Sequence, residues 1–131
     1  MLEVELIGAE LVDPGGPSAT EIEQLCALAT STAGITDGHL AVQFVRSEQI
    51  RELNRRHRHL DEPTDVLSFG VDENDRPAGP RELGDIVICP AETEDLREAI
   101  VHGALHLVGM DHETDEGEML ALQAELMRWL K

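Results

Sequence analysis

Three histidines within eleven residues, His102, His106 and His112, are the side chains whose types and spacing best suit chemistry. They fall in Val101-His-Gly-Ala-Leu-His-Leu-Val-Gly-Met-Asp-His112. At 100° per residue an α-helix sets His102 and His106 about 40° apart and one turn from each other, so two imidazoles can reach one ion. Gly109 can take the positive φ that ends such a helix, and His112 then returns as a third ligand. Three neutral imidazoles leave one tetrahedral position open for water, the pattern of a catalytic rather than a structural zinc site. The expected cofactor is one Zn²⁺ ion, with nickel, copper or iron also suited to three imidazoles.

The residues around the histidines fit that reading. On a helical projection Leu96, Ile100, Gly103, Ala104 and Leu107 share one face, and Val101, Leu105 and Val108 extend it. The polar stripe is Asp95, His102 and His106, which predicts a buried helix whose histidines look into a cleft. The spacing H-x3-H-x2-G-x2-H equals that of the metzincin proteases, which carry Glu directly after the first His as general base. Here that residue is Gly103, which accepts no proton, and peptide hydrolysis by that route is disfavoured.

The elements that must position these groups follow from periodicity and punctuation. Residues 2–12 alternate apolar and acidic, as in a half-buried strand. Ser18 and Glu21 form a capping box for a first helix, which Gly34 ends. Residues 40–45 read as a strand and Ser47 as the cap of a helix running to His57. Strands at 65–69 and 85–89 flank a polar loop at 72–82, and the apolar 85–89 segment belongs inside the sheet. Helices follow at 93–108 and 114–130, the last capped by Thr114 with Asp115 and Glu116 at its positive end. The order β-α-β-α-β-β-α-α predicts a single α/β (α+β) domain over 1–131. Its four-stranded mixed sheet carries packed helices, with the metal site on a central helix.

Composition bounds the rest. The 131 residues, 41% hydrophobic and 28% charged, suit one soluble globular domain. No apolar run approaches the ~20 residues that span a bilayer, and Glu3, Glu5 and Glu10 stand where a signal peptide is basic and apolar, so a cytoplasmic location is expected. Cys26 and Cys89 read as buried free thiols. The net charge of −17 opposes nonspecific binding to DNA, RNA or membranes. However, Arg46, Arg51, Arg55, Arg56 and Arg58 cluster beside His57 and His59, which reads either as a solvated helix face or as a locally basic cleft. With aromatics at 2%, Trp129 reads as a core or contact residue and not as a base-stacking platform.

The segment at 102–112 resembles the signature HGxLHLxGyDH of the YbeY endoribonucleases, or rRNA maturation factors. Two further blocks stand in family order: Leu53-Asn54 through His57-Arg58 and Pro63-Thr64-Asp65 to Phe69, and Leu83-Gly84-Asp85 to Cys89. The resemblance implies that His102, His106 and His112 are the ligands and that Arg58 faces the metal cleft and assists substrate binding or catalysis. It also implies hydrolysis of single-stranded RNA, action in rRNA processing and ribosome quality control, and contact with the small ribosomal subunit. His57 and Met110 replace the family's tyrosines. The connection from Cys89 to His102 is short, which predicts that a helix usual in the family is absent or merged with the metal helix.

For RNA, the ion would acidify water and polarise a phosphoryl oxygen, and Arg58 would neutralise phosphate charge through its planar fork. The general base is open between the metal-activated water, Asp111 and His59, and Asp111 equally suits orienting a ligand imidazole. Asp65 and Ser68 could line the cleft but read better as structural residues of the turn after Pro63, and Asp85 as bonded to local backbone. Two other classes compete with the nuclease: a metallohydrolase acting on peptides or small molecules, and a binding module in which metal only fixes the fold.

Overall fold

The computed structural model describes residues 2–70, 82–109 and 117–129. Its elements are β1 (Leu2–Ile7), α1 (Ala19–Ser31), β2 (Gly38–Phe44), α2 (Ser47–Arg58), β3 (Val66–Gly70), β4 (Glu82–Ile88), α3 (Leu96–Leu107) and α4 (Glu118–Trp129), with single 3-10 turns at Ala9–Leu11 and Pro90–Glu92. The sheet order is β1-β2-β4-β3, with β1, β2 and β4 parallel and β3 antiparallel to β4. The mixed four-stranded sheet and the element order agree with expectation. The apolar β4 lies inside the sheet, between β2 and β3.

Alternation decides which face each strand buries. Leu2, Val4 and Leu6 of β1 join Leu40, Val42, Phe44, Ile86 and Ile88 against α1, α3 and α4. There Leu25, Ile100, Leu105 and Met119 are fully buried, each stabilising the fold by about 1.5–3 kcal/mol. On the opposite face α2 inserts Ile50 among Val45, Leu67, Val87 and Cys89. The rest of that face is polar: the His39 ring spans from Glu82 on β4 (Nδ1 to Oε2, 2.7 Å) to Glu5 on β1 (Nε2 to Oε1, 3.3 Å).

Several boundaries differ from the sequence expectation. β1 stops at Ile7, because the chain turns at Gly8 (φ 75°) into the 3-10 turn. The N-cap of α2 is Arg46, whose N–H donates to Gln49 Oε1 at 2.9 Å, while the Ser47 hydroxyl donates to Glu92. Ser18 caps α1 by accepting the Glu21 N–H, but the Glu21 carboxylate leaves the box and receives both Nε and Nη2 of Arg97 at 2.8 and 2.9 Å. That pair ties α1 to α3. Helix α3 starts at Leu96 and not at 93, because Asp95 accepts the Glu98 N–H at 3.1 Å as its cap. Strand β4 begins earlier than expected, at Glu82. Between β4 and α3 stands only the Pro90–Glu92 turn, consistent with the short connection. Cys26 and Cys89 are free and buried, as expected. The proposed cap at Thr114 with Asp115 and Glu116, and the loop residues 72–81, lie outside the described residues.

Candidate active site

Helix α3 buries Ala99, Ile100, Val101, Gly103, Ala104 and Leu105 and leaves His102 and His106 partly exposed at one edge. The two rings meet edge to face, with centroids 4.7 Å apart and an interplanar angle of 76°. Their Nε2 atoms converge to 3.2 Å. A tetrahedral zinc with Zn–N bonds of about 2.0–2.1 Å holds its nitrogens roughly 3.3–3.4 Å apart, so the pair has the bite of two ligands on one ion. His102 Nδ1 lies 2.7 Å from Gln123 Oε1. An amide oxygen only accepts, which puts the His102 proton on Nδ1 and leaves the Nε2 lone pair facing His106. Past His106 the helix ends, and Gly109 (φ 99°) turns the chain, as its position in the motif predicts. His112, Asp111 and Met110 lie outside the described residues. Among the described residues no third His, Cys, Asp or Glu completes a ligand set.

The histidines open onto a cleft of about 1080 Å³. Arg58, at the end of α2, and Thr64–Ser68, leading into β3, form one wall; Leu120 and Gln123 of α4 contribute another side. Glu92, Glu94, Asp95 and Glu98 also line it. Most of the arginine run is thus a solvated helix face and not a cleft wall. Arg51 pairs with Asp61 at 2.9 Å, and Arg55 and Arg56 both pair with Glu52, because i, i+3 and i, i+4 spacing on one helix brings these charges together. Of the arginine cluster, Arg58 alone lines the cleft, and His59, the left-handed C-cap of α2, is not among the lining residues.

Two small residues set how close α3 lies to the sheet. The Ser68 hydroxyl donates to the Gly103 carbonyl at 3.2 Å. A Cβ at Gly103 would stand 2.5 Å from Ile86 Cγ2 and 3.2 Å from Ser68 Oγ. Position 103 thus points into the sheet, away from the cleft, which gives a steric reason why no glutamate base stands there.

The remaining assignments divide. Asp65 acts in the turn, its Oδ1 accepting the Val66 N–H at 2.8 Å, while also bordering the cleft. Asp85 does not make the local backbone bond expected of it; Glu82 Oε1 accepts the Gly84 N–H instead, at 3.2 Å. His57 packs its ring on Phe69, with centroids 4.8 Å apart. Asn54 is buried and donates Nδ2–H to the Glu62 carbonyl at 2.9 Å, shaping the return from Arg58 towards β3. Gln123 was not foreseen. It lies 21 residues from His102 on another helix, and no local spacing could have paired them.

Among the described residues, a mixed sheet with four helices and a histidine pair in an open cleft defines a single-domain α+β architecture. The family model "Endoribonuclease YbeY" matches residues 17–131. Relatives of that name include those of Rubrobacter xylanophilus, 46% identical over 110 residues (79% of this chain and 78% of the relative), and Brevibacillus brevis, 32% identical over 153 residues (97% and 96%). The solution structure of TM1509 from Thermotoga maritima is similar in fold, with a TM-score of 0.54, 28% identity, and coverage of 95% of this chain and 85% of that one. The chain belongs to the endoribonuclease YbeY family.

Proposed function

We propose that this chain is a metal-dependent endoribonuclease that cuts single-stranded RNA during maturation of small-subunit rRNA and in ribosome quality control, in the cytoplasm. The relatives' name supports the activity. The observation that carries the metal reading is the convergence of His102 Nε2 and His106 Nε2 to 3.2 Å in the cleft that Arg58 lines. His112 is the third ligand in this reading, and zinc the ion that suits the donor set best.

The chemistry that such an ion supplies is polarisation of a phosphoryl oxygen and acidification of water. The chain's own residues do the rest. Arg58 offers a planar fork of N–H donors to the phosphate, neutralising charge as it builds. Gln123 and the apolar packing of α3 hold the imidazoles in place. The carboxylates that line the cleft with Arg58 repel an extended polyanion, so isolated RNA binds weakly and specificity comes from the small ribosomal subunit or a protein partner. Asp111 serves as general base or orients a ligand imidazole.

The test compares metal-loaded wild type, His106→Ala and Arg58→Glu on single-stranded RNA and on an unfolded protein. RNA cleavage that needs both residues supports the proposal. Cleavage of protein without RNA would favour a peptide hydrolase. Cutting of neither, with unfolding on metal removal, would favour a binding module.

A further inference from the structure

Helix α4 adds a side chain to the histidine pair. Gln123 follows the buried Met119 by one turn and precedes the buried Leu126, so it lies on the face that docks α4 against the core. It is 9% exposed, and a buried amide at such a place needs a partner. Its Oε1 takes the His102 Nδ1–H at 2.7 Å, on the side of the ring away from His106.

That bond does two things to His102. It fixes the neutral tautomer, because the proton held at Nδ1 leaves Nε2 as the only lone-pair nitrogen. It also fixes the ring plane, because rotation about the Cβ–Cγ bond would break a short bond inside a packed interface. Without the acceptor the imidazole can place its proton on Nε2 and present an N–H to the ion. Residues in this position on other metal sites set ligand basicity and orientation, and losing them lowers metal affinity about 10- to 100-fold.

We propose that Gln123 is the positioning residue that readies His102 for the metal, so that affinity for the ion depends on α4 being docked. The inference rests on the metal reading above. The test is a Co²⁺ titration of the metal-free full chain followed by visible absorption, using wild type, Gln123→Met and Gln123→Glu, with the unfolding midpoint of each recorded. Met keeps the length and apolar stem but has no comparable acceptor; Glu keeps an acceptor oxygen at the same reach. The expected result is a loss of affinity of about 10- to 100-fold in Gln123→Met and its recovery in Gln123→Glu.

Equal cobalt affinity in wild type and Gln123→Met would overturn this inference and leave the metal reading standing. Equal losses in both variants would also overturn it, since they would reflect packing and not the acceptor. Absence of cobalt binding by wild type would overturn the metal reading itself. One measurement needs no substitution: the ¹⁵N shifts of the His102 ring in metal-free wild type at alkaline pH. A protonated Nδ1 is expected, and a protonated Nε2 with bare Nδ1 would contradict the role.

Discussion

The Ser68 hydroxyl donates to the Gly103 carbonyl at 3.2 Å, tying β3 to the middle of the helix that carries His102 and His106. The contact is possible because Gly103 has no Cβ, and a methyl there would meet Ile86 Cγ2 at 2.5 Å. Ile86 is β-branched and lies in an interior strand, so it yields little. The Ala substitution gains up to about 1 kcal/mol of helix propensity and loses about 1–3 kcal/mol to overpacking. Gly103→Ala is therefore expected to lower the urea midpoint. A rise would mean that α3 can lift off the sheet without cost.

Arg58 lines the cleft from the exposed end of α2. Arg58→Ala is expected to reduce cleavage of single-stranded RNA about tenfold or more, as loss of a charge-assisted contact does. Its stability should stay within about 0.5 kcal/mol of wild type, since the side chain is exposed. Full activity with unchanged salt dependence would remove Arg58 from the reaction.

His39 makes stability depend on pH. Burial pulls its pKa down, but the bonds and charges of Glu82 and Glu5 outweigh burial and hold it above the ordinary value. A raised folded pKa contributes stability that is fully present below about 6.5 and is lost as pH rises through the folded value. In urea titrations, His39→Gln should therefore destabilise more at pH 6 than at pH 9. An equal effect at both would place the role of His39 in packing.

Burial pushes the Cys26 thiol up to about 12. The reactive thiolate is then scarce at neutral pH, and Cys89 is equally enclosed. Neither thiol should react with a disulfide reagent at pH 8 until denaturant is added, when both should react at once. Rapid modification of the folded chain would show that the core opens locally.

Much of this was legible in the sequence because local rules act over a few residues. Alternation from Leu2 onward marks β1, though not its end at Ile7, and an apolar circumference marks α3. The histidine spacing places both rings on one edge of that helix. What escaped depended on partners distant in the chain. Glu21 fits a capping box by spacing, yet Arg97 takes its carboxylate from 76 residues away. The arginine run reads as a basic patch, but three of its five members, Arg51, Arg55 and Arg56, pair with Asp61 and Glu52. The acidic wall from Glu92 to Glu98 and the Gln123 contact arise only when β4, α3 and α4 come together.

The central claim is that one divalent ion, held by the histidines, cuts RNA. Its most direct test is the rate of single-stranded RNA cleavage by metal-loaded wild type and by His106→Ala, with bound metal measured on both. The account predicts about one ion per wild-type chain, and loss of both ion and cleavage in the variant. Cleavage at the wild-type rate by metal-free His106→Ala would contradict it.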